Sequence, residues 1–81
     1  MALTFFGKDP SSDYGNCPGV WYDDETGELV FQGWKVTKPE TLAQITAIGS
    51  IPETETVVRL PGRMASIVRE ACDVADRAVV R

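Results

Sequence analysis

The stretch Arg63 to Val79 constrains the fold more than any other part of the chain. Met64, Ile67, Val68, Ala71, Cys72, Ala75 and Val79 recur at spacings of three and four. That period places all seven on one face of a helix. Arg63, Ser66, Arg69, Glu70, Asp73, Asp76 and Arg77 occupy the remaining faces. A helix with such a stripe is stable only when the stripe is covered. The cover must come from within 81 residues, enough for one domain with a small core.

The covering residues read as strands. Val20-Trp21-Tyr22 is β-branched and aromatic. Asp23-Asp24-Glu25-Thr26-Gly27 follows as a turn, with Gly27 free to take a positive φ. Glu28 to Val36 forms a second strand with large apolar groups on both faces, which predicts that both are partly covered. Gly33 inside it predicts a bulge or a close backbone approach. Glu55 to Leu60 is a third strand, broken by Pro61 and Gly62. Between the second and third strands, Thr37-Lys38-Pro39-Glu40 has the pattern of a capping box with Pro in the first turn. It predicts a short helix through Ile48, ended by Gly49 in the left-handed conformation. The element order is β-β-α-β-α, an α+β fold with a small, mostly antiparallel three-stranded sheet and two helices packed on it. Residues 1–18 read as an N-terminal arm and irregular loop. Leu3, Phe5 and Phe6 form a short strand or dock on the core, and Lys8 to Pro18 is rich in turn formers.

Composition narrows the function classes. The apolar content of 43% and charged content of 25% are those of a folded domain. Twelve acidic residues against eight basic ones give a net charge of −4. This opposes direct binding to nucleic acid and leaves binding to a basic protein open. The chain has no histidine, which removes the commonest general base and the commonest metal ligand. No segment has the basic and apolar regions of a signal peptide, and no apolar run approaches a membrane span. Two cysteines, Cys17 and Cys72, read as reduced thiols of a cytoplasmic protein, although sequence leaves a bond between them open.

Each candidate for chemistry meets a simpler explanation. The acidic turn Asp23 to Glu28 has oxygen ligands, but its spacing matches no calcium loop, and a solvated hairpin turn accounts for it. Cys17, with Asp13 or Tyr14 nearby in sequence, lacks a base to activate it. Ser11, Ser12, Asp13 and Tyr14 complete no triad. No catalytic residue, metal site or cofactor is expected. Trp21, Tyr22, Phe31 and Trp34 stand out as core residues that two small helices can scarcely cover. Exposed tryptophans are frequent interface hot spots. The expected partner-binding residues are therefore Trp21 and Trp34, framed by Gln32 and Lys35 and rimmed by Asp23, Asp24 and Glu25.

Four segments carry a resemblance: Gly7-Lys8-Asp9-Pro10, Gly15-Asn16-Cys17-Pro18, Gln32-Gly33-Trp34-Lys35-Val36 and Glu55-Thr56-Val57-Val58-Arg59-Leu60-Pro61. From Gly7 onward the chain resembles small actinobacterial proteins encoded near Xre-type helix-turn-helix regulators. The resemblance implies an accessory or antitoxin-like partner in a regulatory cassette, with a protein partner such as the helix-turn-helix regulator. It names no interface residue. The expectation is a non-catalytic protein-interaction module. The alternative is a self-associating structural protein that pairs through Glu55–Leu60 or the last helix.

Overall fold

The computed structural model describes residues 2–11 and 17–80, with the backbone but not the side chains of Val79 and Val80. Three strands, β1 (Leu3–Lys8), β2 (Gly19–Asp23) and β3 (Glu28–Gln32), form an antiparallel sheet in the order β1-β2-β3. A two-residue ribbon pairs β4 (Trp34–Lys35) with β5 (Val58–Arg59), also antiparallel. Helix α1 (Pro39–Thr46) lies between β4 and β5 in sequence. A 3₁₀ turn (Gly62–Met64) leads into helix α2 (Ala65–Val80). The α+β class holds, with a three-stranded antiparallel sheet and two helices.

The membership of that sheet differs from the expectation. The N-terminal segment is a strand, one of the two readings left open for Leu3 to Phe6, and it supplies the third member. Leu3-Thr4-Phe5 alternates too briefly to be distinguished from a docked loop by pattern alone. The expected long strand over Glu28–Val36 divides at Gly33, where the chain changes partner from β2 to β5. A Cβ on Gly33 would lie 2.5 Å from the Arg59 carbonyl oxygen and 3.1 Å from Val58 Cβ. Close approach, one of the two readings of this glycine, is what is found. Gly33→Ala should therefore cost about 2 kcal/mol through overpacking against backbone. Urea denaturation measures the loss. Faster exchange of the Val36 amide, which donates to Val57 O at 3.0 Å, locates it in the ribbon.

Both helices begin and end for local reasons. Pro39 excludes the residue before it from the helical region. Lys38 is accordingly extended (φ −69°, ψ 121°) and becomes the N-cap, with no side-chain capping bond. The expected Thr37 capping box does not form. Gly49 does not adopt the left-handed conformation either; among the described glycines only Gly7 and Gly27 have positive φ. The end of α1 closes instead with the Ile48 and Gly49 amides both donating to Ile45 O. Helix α1 has no buried residue, and Ile48 just beyond it is 93% exposed.

Helix α2 follows its sequence period. Met64 and Ala71 are fully buried, and Ile67, Val68, Cys72 and Ala75 are partly buried. All seven residues expected on the polar faces are exposed. The Val79 side chain lies outside the described residues. The stripe covers one face of the three-stranded sheet, where Val20 and Tyr22 are buried and Phe6 and Leu29 pack beside them. A β-bulge between Phe5 and Gly7 makes this possible. Strict alternation would send Phe6 inward, Gly7 outward and Lys8 inward. The extra residue resets the pleat, so that Gly7 lies against Ile67 and Lys8 emerges on the opposite face beside Gly19.

Candidate functional site

The face of the sheet opposite α2 is built from three cross-strand rows. Register places Phe5, Trp21 and Val30 side by side in the middle row. Leu3, Asp23 and Glu28 form the row at one end, and Lys8, Gly19 and Gln32 the row at the other. Neither helix packs on this face as α2 packs on the other. Phe5 is 56% exposed and Leu3 46%.

Gly19 seats the Trp21 ring. A Cβ at Gly19 would fall 2.8 Å from an edge carbon of that indole, so the missing side chain lets the ring lie down along its own strand. Phe5 borders the indole from β1, with ring centroids 5.7 Å apart and planes tilted by 47°, within the range of favourable aromatic pairing. Lys8 closes the other side. Its Nζ sits 5.0 Å from the indole centroid and donates to Gln32 Oε1 at 2.7 Å and to the Cys17 carbonyl at 3.0 Å. The ammonium thus combines a cation–π contact with two hydrogen bonds. Trp21 is held rigidly and left half-buried, with Phe5 as the exposed part of the cluster.

The acidic end is made by the hairpin turn. Asp23 Oδ1 accepts from the amides of Glu25 (2.9 Å) and Thr26 (3.3 Å), and Gly27 N–H donates to Asp23 O. Gly27 has φ 75°, as the turn requires. Asp24 and Glu25 are exposed, and the Asp24 amide donates to Ala2 O at 3.0 Å. The turn therefore carries its carboxylates alongside the start of β1.

Trp21 and Asp23 accordingly share one face, with Asp24 and Glu25 at its rim. Trp34 lies elsewhere: it is in the β4–β5 ribbon, opposite Arg59, and 44% exposed. Of the two framing residues, Gln32 touches the Trp21 cluster through Lys8, while Lys35 sits on the ribbon opposite Val58. Phe5, Leu3, Lys8 and Gly19 belong to the site and were not expected there. The alternation of Leu3 and Phe5 was the available signal, but only the pairing of β1 with β2 brings them beside Trp21.

Elsewhere, Cys17 and Cys72 are not joined by a disulfide. The contact between Lys8 and Cys17 is to the carbonyl oxygen and not to sulfur. Asp13 and Tyr14, paired with Cys17 in the sequence reading, lie outside the described residues, as does Ser12. Among the described residues no group of three or more His, Cys, Asp or Glu side chains is placed to hold a metal ion. No described helix is long and apolar enough to cross a membrane.

A charge pair that no motif announced lies just after β1. Asp9 is 2% exposed and receives two hydrogen bonds from Arg63, Nε to Oδ1 at 2.7 Å and Nη2 to Oδ2 at 2.6 Å. The Ser11 amide also donates to Oδ1, and the Asp9 amide donates to Pro18 O. The hydrogen bond to Asp9, with its charge adding to it, raises the Arg63 pKa above the ordinary arginine value. This pair ties the end of β1 to the start of α2, and so holds the sheet in place over the helix.

The chain matches no family model, no curated protein and no solved structure.

Proposed function

We propose that this protein is a non-catalytic interaction module that binds a partner protein through the open face of its sheet. The observation that carries this is the Phe5–Trp21 cluster: a preorganised aromatic pair, uncovered by either helix, with Leu3 exposed beside it. Isolated exposed apolar residues are ordinary, whereas a contiguous row on a rigid sheet is the character of an interface. Aromatic anchors held in one conformation lose little entropy on binding and dominate interface energetics. The acidic rim of Asp23, Asp24 and Glu25 supplies orientation and favours a basic partner. Resemblance to proteins encoded near helix-turn-helix regulators supports a cytoplasmic accessory or antitoxin-like role, with such a regulator as the partner. The net charge of −4 argues that nucleic acid is not bound directly.

The test is co-purification of tagged protein from its own host, wild type beside Phe5→Glu, with the fold of each checked by circular dichroism. Phe5 is more than half exposed, so the substitution should leave the fold intact. A specific partner should accompany the wild type and fall at least tenfold with Phe5→Glu. Equal recovery by both would remove the site. Nothing above control with the wild type would remove the interaction reading.

A further inference from the structure

We infer that the outer edge of β1 accepts an extended segment of the partner protein as a fourth strand, apolar where it crosses Phe5 and basic where it crosses Leu3. This rests on the reading of the open face as an interface, and it states how the partner is held.

The backbone is arranged for it. Asp24 N–H donates to Ala2 O, which makes Ala2 and Asp24 a hydrogen-bonded pair of the antiparallel ladder. Facing pairs alternate along such a ladder. Thr4, opposite Tyr22, therefore turns its backbone groups toward β2, while Leu3 and Phe5 turn theirs outward. No strand pairs with that edge among the described residues, because β1 ends the order β1-β2-β3. The same two residues carry the exposed side chains of the face. Proteins usually blunt a free edge with a bulge, a charge or a proline. Here the bulge after Phe5 and the charge of Lys8 both lie at the far end of the strand, and Ala2 to Phe5 has none of these.

Charge selects the occupant. The Leu3 row continues into Asp23 and Glu28, with Asp24 and Glu25 in the adjoining turn. None of these four carboxylates has an ion-pair partner among the described residues, where the one ion pair is Arg63 with Asp9. Lys8 is engaged at the other end of the face. A strand added beside β1 would lie two strand spacings from β2, roughly 10 Å, so a lysine or arginine laid across Leu3 reaches the Asp23 carboxylate. A second copy of the chain would bring the same net charge of −4, and the cation its own β1 could lay near Leu3, Lys8, is already engaged by Gln32, the Cys17 carbonyl and the Trp21 ring. A partner segment with a basic residue fits better, and strand addition with side-chain pockets on alternate residues is an established mode of peptide recognition.

The experiment uses the whole protein and three capped six-residue peptides: Thr-Val-Thr-Lys-Thr-Thr (Val-Lys), which sets Val and Lys two apart on one face of a strand, Thr-Val-Thr-Glu-Thr-Thr (Val-Glu) and Thr-Ser-Thr-Lys-Thr-Thr (Ser-Lys). Amide hydrogen exchange is followed by NMR at low salt. In the free protein the Leu3 and Phe5 amides should exchange fast. The Val-Lys peptide should slow both at least tenfold, and the other two peptides at equal concentration should not. Leu3→Pro removes one outward N–H without touching the bonds to β2, and should abolish the protection at the remaining Phe5 amide. Should that variant fold poorly, Glu28→Lys is the second: it relieves the like-charge pair with Asp23 and should shift preference toward the Val-Glu peptide. No protection at Leu3 and Phe5, or equal protection by the basic and acidic peptides, overturns the inference. Protection that rises with protein concentration and without peptide also overturns it, assigning the edge to a second copy. A native partner lost from Phe5→Glu but retained by Leu3→Pro would overturn strand addition while leaving the interaction reading in place.

Discussion

Met64→Ala should destabilise the protein by about 3 kcal/mol, the largest effect expected of any single truncation here. Met64 is fully buried, and it is the largest such side chain among the described residues. It stands at the junction of the 3₁₀ turn and α2, in the same cluster as Val20 and Ala71, with Phe6, Leu29, Leu60, Ile67 and Val68 packed around them. The cost combines the lost transfer of a long apolar side chain with the cavity it leaves. Sheet and helix meet at this point, so neither can close the gap alone. A domain of this size has only several kcal/mol of stability in total. At roughly 4–8 °C per kcal/mol, the midpoint should fall by about 15 °C or more. Thermal and urea denaturation measure both quantities. Met64→Leu keeps the volume and should cost less than about 1.5 kcal/mol. Ile48→Ala, on a side chain almost wholly in solvent, should change stability by no more than about 0.5 kcal/mol. Equal losses for Met64→Ala and Ile48→Ala would contradict the core assignment.

Arg63→Ala should be the second most damaging change, and worse than Asp9→Asn. The asymmetry follows from burial. The Arg63 side chain is 48% exposed, whereas Asp9 has no exposed side-chain surface. Removing Asp9's charge leaves a guanidinium that water can solvate. Removing Arg63 takes a bidentate charge partner from a buried carboxylate, which costs more than the pair itself contributes. A fall of roughly 10 °C in the midpoint is expected for Arg63→Ala, and clearly less for Asp9→Asn. The double substitution Asp9→Leu with Arg63→Met should recover much of the loss, because apolar replacement of both partners removes the desolvation cost. Raised pKa of Arg63 gives the pH dependence its sign. A group whose folded pKa is raised contributes stability in full below its unfolded value and loses it as pH rises through the folded one. For an arginine both lie in strong alkali, so Arg63 introduces no loss of stability from neutrality upward until that range. Melting curves at neutral and moderately alkaline pH should show the same gap between wild type and Arg63→Ala.

The two predictions concern different joints of one design. Met64 holds the covered face of the sheet to α2, and Asp9 with Arg63 holds the end of β1 to the start of that helix. Together they position the uncovered face. Loss of either should therefore impair partner binding indirectly, through the placement of Phe5 and Trp21. Phe5→Glu, by contrast, loses only the exposed pairing with Trp21 and should impair binding with a fall in the midpoint of only about 5 °C. Comparing binding against stability across these variants separates the interface from its support.

Much of the architecture follows from local sequence alone. The α2 stripe, the hairpin turn with Gly27 and the short helix opened by Pro39 each depend on periodicity or on the backbone limits of one residue. Those rules act within a few positions, and they are legible for that reason. The α+β class then follows, since a single-faced helix in so short a chain needs a sheet to cover it. The charge balance and the lack of histidine are likewise properties of the sequence. Partners across the chain are decided by the tertiary structure. The sequence pattern places Trp21 and Trp34 in one hairpin, yet the close contact of Gly33 with Arg59 sends Trp34 to a separate ribbon. The same pattern leaves Leu3 and Phe5 as a short strand or a docked segment, yet pairing with β2 sets them beside Trp21, and the bulge before Gly7 brings Lys8 to the same face. Asp9 and Arg63 stand 54 positions apart and meet only when β1 is laid over α2. Strand pairing and buried charge pairs are long-range choices made by total burial and hydrogen-bond satisfaction, which no local window contains. The candidate interface, made by β1 joining β2, belongs to that second kind.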